Sequence, residues 1–190
     1  MAVQFVRVPA DRMAVVIGTS GSTKRALELQ TGTKIEVDED EDGFRIAAPD
    51  DADPIKVLKA RDVVLAIGRG FAPERAFRLL REDTYLAVID IKQATGKRTK
   101  DAMWRIRSRV IGTGGRARHR LEQLSGCSVS VQGATVALIG DDKQLERASH
   151  AVQLLLRGSE HSTVFRMLAH ERRDAAVLEA LTPADPGGEL

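Results

Sequence analysis

Cysteine is almost missing from this chain: Cys127 stands alone among 190 residues. An intramolecular disulfide framework is excluded, and a reducing cytosol fits. Aromatic residues make up only 4%, which leaves few rings on which bases could stack. No run approaches about 18 consecutive apolar residues, and Met1-Ala2-Val3-Gln4-Phe5 has no basic start leading into an apolar core. The chain is therefore expected to be soluble, unexported and cytoplasmic, with no membrane partner. The four histidines, His119, His150, His161 and His170, are scattered and have no second cysteine to join them, so there is no zinc pattern. No Ser/His/Asp grouping or paired carboxylate stands out. The expectation is a protein that is not an enzyme and takes no cofactor.

Charge of one sign is also scarce in the sum, which is only +2. Its distribution is lopsided. From Lys97 to Arg120 nine basic residues (Lys97, Arg98, Lys100, Arg105, Arg107, Arg109, Arg116, Arg118, Arg120) face the single acid Asp101. From Glu36 to Asp53 nine acids (Glu36, Asp38, Glu39, Asp40, Glu41, Asp42, Asp50, Asp51, Asp53) face the single base Arg45. One half of the chain can attract a polyanion while part of the other repels it or attracts a basic partner.

At the centre of the basic block lies Val110-Ile111-Gly112-Thr113-Gly114-Gly115-Arg116-Ala117-Arg118-His119-Arg120. Its glycines let the backbone approach another molecule closely and take conformations closed to other residues. If a helix follows, its free N–H groups point over the turn and favour an anion such as phosphate. Arg116, Arg118 and Arg120 add charges that bind phosphate bidentately. A P-loop would need Gly-x-x-x-x-Gly-Lys-Ser/Thr after a strand, whereas this loop follows a helical pattern and lacks the Lys-Ser/Thr.

The stretch occurs twice. A shift of 94 residues lays Val16-Ile17-Gly18-Thr19-Ser20-Gly21 over Val110 to Gly115, Leu27-Glu28 over Leu121-Glu122, Gly32 over Gly126, Ile35 over Val129 and Val37 over Val131. An internal repeat of this kind decides for two small domains rather than one large one.

In order, Gln4–Pro9 reads as a strand, Ala10–Ile17 as a helix, and Ser22 onward as a second helix capped by Gly32. Thr33–Asp38, with Ile35 and Val37 inward, and Gly43–Ala48 read as a hairpin whose tip is the acidic run. Pro54–Ile67 is a helix with Ile55, Leu58, Val63 and Ile67 on an apolar face. Gly68-Arg69-Gly70 reads as a hinge, followed by a connecting helix Pro73–Arg81 with Ala76, Phe77 and Leu80 inside, expected to pack the domains together. The second round is Thr84–Ile91 with Tyr85, Ala87, Ile89 and Ile91 on one face, a loop at Thr95-Gly96-Lys97-Arg98, and the helix Lys100–Ile111 on Met103, Ile106 and Val110. After the glycine turn come Arg116–Leu124, the strands Cys127–Val131 and Ala134–Ile139, a helix capped by Asp141-Asp142 and running to about Leu156, and a helix Ser162–Leu181. Trp104 reads as packing between domains rather than as a platform for a base. Arg105 and Arg109 share a helix face from which Arg107 points away. The expected layout is a first domain over 1–70, a connection over 71–83, a second domain over 84–158, a helical extension over 159–181 and a flexible tail over 182–190.

A strand, a helix, Ile-Gly-x-x-Gly, a helix, a hairpin and a final helix resemble a K-homology (KH) domain of the eukaryotic type. Two copies in tandem, with Lys-Arg-x-Lys and Met-Trp-Arg ahead of the second glycine loop, resemble the archaeal two-KH family related to the eukaryotic small-subunit assembly factor known as the partner of the Nob endonuclease, and more loosely the Krr-type factors. The resemblance implies an α+β fold of two type I KH domains, each a three-stranded antiparallel sheet packed on three helices, with extra connecting and C-terminal helices. It implies binding of single-stranded RNA near the 3′ end of small-subunit ribosomal RNA, with the α subunit of initiation factor two and an rRNA endonuclease as partners. The loop of such a domain clamps the backbone of about four nucleotides. By position the main clamp is Gly112, Thr113, Gly114 and Gly115 with Arg116, Arg118, Arg120, Arg109, Lys97, Arg98 and Lys100 around it, above Val129 and Val131. The first copy offers Gly18, Thr19, Ser20 and Gly21 with Lys24 and Arg25, and its acidic neighbourhood ranks it second. A general single-strand RNA or DNA binder acting on messengers, or an adaptor for an initiation factor, are the alternatives.

Overall fold

The computed structural model describes residues 2–38, 41–49 and 53–181. The tail expected over 182–190, and Glu39, Asp40, Asp50 and Asp51 of the acidic block, lie outside the described residues. The first half runs β1 (Ala2–Arg7), α1 (Ala10–Ile17), a bend at Thr19–Gly21, α2 (Ser22–Thr31), β2 (Lys34–Asp38), β3 (Gly43–Ala48) and α3 (Pro54–Gly68). The connection holds α4 (Pro73–Ala76) and a 3-10 turn over Phe77–Leu80. The second half repeats the order with β4 (Tyr85–Asp90), α5 (Ile91–Thr95), α6 (Lys100–Ile111), a bend at Thr113–Gly115, α7 (Arg116–Ser125), β5 (Ser128–Gln132), β6 (Thr135–Gly140) and α8 (Asp142–Arg157), and α9 (His161–Leu181) follows. Both sheets are antiparallel, in the orders β1-β3-β2 and β4-β6-β5. This is the α+β architecture of paired three-stranded sheets and helices that the resemblance implies.

Local signals set most of the boundaries. Pro54 opens α3, with the Asp53 side chain accepting from Ile55 N–H. Thr99 caps α6, and Asp141 with Gln144 closes a capping box on α8. The 94-residue repeat reaches the hydrogen bonds as well. Glu28 accepts the Ile35 N–H at 2.8 Å and Glu122 the Val129 N–H at 2.9 Å. The Thr31 hydroxyl donates to Leu27 O and the Ser125 hydroxyl to Leu121 O, each at 2.7 Å. Two helices are thereby tied to their following strands by the same device.

The halves do not hang on a tether. On β6, Val136 and Leu138 join the core under α6, α7 and α8, while Ala137 and Ile139 join the core of the first half with Val8, Val64, Ile67, Phe71 and Leu79. The central strand of the second sheet is therefore covered on both faces, and every residue of β6 is buried. Polar groups fasten the same contact. The Arg75 guanidinium meets Glu122 at 2.7 Å, Arg78 donates to the Ser128 hydroxyl at 2.8 Å, and Ser130 donates to Arg69 O at 2.9 Å. Lys59 of α3 donates to Thr84 O at 2.7 Å and lies 5.0 Å from the Tyr85 ring centroid. The glycine segment read as a hinge is wedged in this contact, as Gly70 abuts Ser130 and Gln132.

Several readings need correction. The first strand spans Ala2–Arg7 rather than Gln4–Pro9, because Pro9 sits at the start of α1. Val37 is 40% exposed at the free edge of the first sheet. Ile55 and Leu58 are exposed, since α3 buries the stripe Val57, Ala60, Val64 and Ile67 instead. Leu79, not Leu80, is fully buried in the connection. Tyr85 is exposed, and Ile91 begins α5 because the Asp90 side chain accepts the Gln93 N–H. Cys127 is buried, and burial pushes its thiol up to about 12, far from a nucleophile's range.

Gly70 has φ +98, and a Cβ there would lie 2.7 Å from the Ser130 hydroxyl. Gly70→Ala is expected to lower stability by about 1–3 kcal/mol, read as a fall in urea midpoint. Gly133→Ala, also at positive φ but with nothing within 4 Å, should cost less; equal losses would mean that the domain contact at Gly70 has no weight.

Candidate nucleic-acid interface

Each bend joins two helices through backbone that only a few residue types tolerate. Gly112 stands at φ 73, ψ 171, Gly114 at φ 60, ψ 24 and Gly115 at φ 78, ψ 6. Gly18 (φ 76, ψ 169), Ser20 (φ 52, ψ 28) and Gly21 (φ 77, ψ 18) repeat the path. Ser20 holds a left-handed conformation without being glycine, at a cost of roughly 1–2 kcal/mol. Gly112 is glycine for want of space as well, because a Cβ there would lie 2.7 Å from the Ala117 backbone N. Nothing lies within 4 Å of a Cβ at Gly114 or Gly115, and Thr113 and Gly114 are exposed. Among the described residues, no side chain caps α7 or α2. The Arg116 N–H that opens α7 donates to Thr113 O and the Ser22 N–H that opens α2 to Thr19 O, while the helix dipole still favours an anion at each start.

The side chains around the second bend divide into two groups. Ser108, Gly112, Thr113, Arg116 and Arg120 line a cavity of about 450 Å³ together with His161 and Phe165. Arg116 and Arg120 are four apart and share one face of α7; Arg118, two residues from each, falls on another face and is half-buried. The alternating arginines therefore do not act as a trio. Arg120 also lies 5.4 Å over the Phe165 ring, a cation–π contact that holds its guanidinium beside the bend. Lys97 and Arg109 fall elsewhere, with Arg105 and Arg157 around a second cavity of about 370 Å³. Arg109 has a different task from the one expected: its guanidinium donates to Gly158 O and Ser159 O at 2.6 and 2.8 Å, closing the end of α8. Lys97, Arg98 and Lys100 are exposed ahead of α6.

At the first bend one of the two cations is neutralised by a carboxylate. Lys24 pairs with Glu28 at 3.0 Å. Arg25 folds back and donates to Ser20 O and, at 3.3 Å, to Gly21 O. Both cations expected beside this loop are engaged within the protein; Arg116 likewise donates to Thr113 O at 3.3 Å at the second bend, so the bends differ in the ion pair that neutralises Lys24.

Sequence reasoning missed the wall that α9 supplies. His161 meets Arg109 O at 2.8 Å and stacks loosely on Phe165, 5.8 Å between ring centroids. Those residues lie some fifty positions from the bend, and no local pattern joins them to it. Trp104 also departs from expectation: it is 66% exposed and packs no domain against another.

Gly112→Ala should lower the melting temperature by several degrees, because the Cβ has nowhere to go. Gly114→Asp should leave the fold intact, since the site is open and Asp tolerates positive φ. Thermal unfolding of the two variants side by side checks the contrast.

Comparison with known proteins agrees with this geometry. A model for the second KH domain of PNO1, described as a eukaryotic type KH-domain (KH-domain type I), matches residues 85–173, and a general KH domain model matches residues 3–65. The KH domain-containing protein MJ0443 of Methanocaldococcus jannaschii is 38% identical over 172 residues, covering 90% of this chain and 75% of the relative. The crystal structure of Dim2p from Pyrococcus horikoshii superposes with a TM-score of 0.83 at 46% identity, over 90% of this chain and 99% of the other. The crystal structure of an a/eIF2alpha-aDim2p-rRNA complex from the same organism does so with a TM-score of 0.84 at 46% identity, over 91% and 95%. Two glycine bends of one geometry, two sheets of one topology and these matches leave one conclusion: the chain belongs to the KH-domain RNA-binding proteins of the PNO1/Dim2 type.

Proposed function

We propose that this protein binds single-stranded RNA near the 3′ end of small-subunit ribosomal RNA during ribosome assembly, in the cytoplasm, with the second bend as its main clamp. The observation that carries the reading is the open bend at Thr113 and Gly114, with the uncapped start of α7 and the shared face of Arg116 and Arg120 beside it. The positive end of the α7 dipole and the Arg116 and Arg120 guanidinium groups favour a phosphate there. Gly112, Thr113, Gly114 and Gly115 hold the sugar-phosphate chain; Arg116 and Arg120 neutralise it; Lys97, Arg98 and Lys100 extend the positive field. Gly18, Thr19, Ser20 and Gly21 hold a second stretch more weakly, because Lys24 is already paired with Glu28.

The nature of the target is drawn from the Pyrococcus horikoshii complex, in which a relative stands with rRNA and a/eIF2alpha. By the same likeness the α subunit of initiation factor two is a protein partner of this chain, and the family resemblance adds an rRNA endonuclease. No catalytic step is assigned to the chain itself; cleavage belongs to the partner.

Three measurements test this reading. On single strands log K falls by about 0.7 per phosphate contact per decade of salt, so replacing Arg116 and Arg120 together by Gln should flatten the slope by about that amount for each phosphate they no longer neutralise. An unchanged slope would mean that these side chains do not touch the backbone. Gly114→Asp should lower affinity at least roughly tenfold by placing a carboxylate against phosphate, and Ser20→Asp should cost less; the reverse order would refute the ranking of the clamps. In cells, crosslinks gathered at the 3′ end of small-subunit rRNA support the assembly role, whereas crosslinks scattered over messengers contradict it.

A further inference from the structure

Trp104 is the only tryptophan in the chain and one of its most exposed large apolar side chains. Its helix does not need it, because α6 is anchored through Met103 and Val110, with Ile106 packed against the same core. On α6, Trp104 precedes Ser108 by four residues and Ile111 by seven, so the three share one face. Ser108 lines the cavity at the second bend with Gly112, Thr113 and Arg116. Trp104 therefore stands one turn beyond Ser108 and two turns, about 12 Å along the helix axis, from Gly112 at the clamp.

Its surroundings narrow what could cover it. Lys100 lies one turn further on the same face, and Lys97 and Arg98 precede it, all three exposed and with no ion pair among the described residues. An apolar ring of this size in water favours burial against a flat apolar surface. The surrounding cations favour negative charge. A ligand answering both demands presents π-faces and phosphates side by side, as an unpaired nucleotide strand does.

We propose that Trp104 is a base-stacking residue that takes a nucleotide beyond those held by the second bend, with Lys100 on its phosphate. This rests on the RNA-binding reading above, and adds an aromatic platform that the glycine clamp does not itself contain. Trp104 reads the strand by surface rather than by hydrogen bonds, so it lengthens the bound segment without making it more sequence-selective.

The lone tryptophan is its own reporter. Unlabelled RNA from the 3′ end of small-subunit rRNA, in lengths of about four and eight nucleotides, is titrated into the full-length protein while Trp emission is followed. The anisotropy of a fluorescein-labelled copy is followed in parallel. The expected result is strong quenching by the longer strand and little by the shorter. Trp104→Ala should weaken the longer strand roughly tenfold and leave the shorter one unchanged, with Trp104→Phe restoring most of the loss. Because Trp104 is exposed, the substitutions do not threaten folding. Anisotropy that rises for the longer strand without quenching, together with wild-type affinity of Trp104→Ala, overturns the proposal and leaves RNA binding standing. No rise in anisotropy for either strand removes RNA binding and the proposal together. If Trp104→Ala keeps its RNA affinity but loses the initiation-factor α subunit in a pull-down, the ring is a protein contact and the proposal is wrong.

Discussion

The structure depends on a sheet that is covered twice. β6 sends Val136 and Leu138 into the helices of its own domain and Ala137 and Ile139 into the core of the other. Burying an aliphatic side chain of this kind is worth about 1.5–3 kcal/mol, and here both faces of one strand contribute. Neither half can therefore present its surface unaltered without the other. The connection follows from the same constraint: α4 and the turn after it must run along the covered face, which is why Leu79 is buried and Arg75 and Arg78 reach Glu122 and Ser128.

The repeat produces two bends of one shape and two different surfaces. The backbone angles of Gly18, Ser20 and Gly21 follow those of Gly112, Gly114 and Gly115 closely, and Glu28 and Glu122 tie the same helix to the same strand. The divergence lies in what the nearby charges do. Glu28 takes Lys24 as its ion partner, drawing a cation away from the first bend. Glu122 takes Arg75 from the connection, which leaves Arg116 and Arg120 beside the second bend free of ion pairs among the described residues. The backbone path is common to both bends, and the charge left beside each depends on which carboxylates consume which cations.

Much of this was legible in the sequence because it is local. The helix over Lys100–Ile111, the Gly32 and Gly126 caps and the Asp141 cap are written in spacing and residue type. What was not legible depends on the other half of the molecule. On α3 there are more apolar residues than one stripe needs, and only the partner elements decide that Val57 and Val64 go in while Ile55 and Leu58 stay out. The exposure of Trp104 could not be read because its neighbours Met103 and Ile106 are core residues and a large ring next to them reads as core too. The double burial of β6 and the approach of His161 and Phe165 to the bend are long-range facts with no local signature. The second glycine bend was visible; the wall that α9 adds beside it was not.

The wedged connection has a consequence for how a strand is held. Modules strung on a slack linker can each find their own segment and tolerate any gap between them. Here Gly70 is pinned against Ser130 and Gln132, and the sheet between the halves leaves no room to slide. On the proposed reading, two grips mounted on a single block act as a gauge: a nucleotide chain that engages both must offer its two segments at one spacing, so the length of the stretch between them becomes part of what the protein selects.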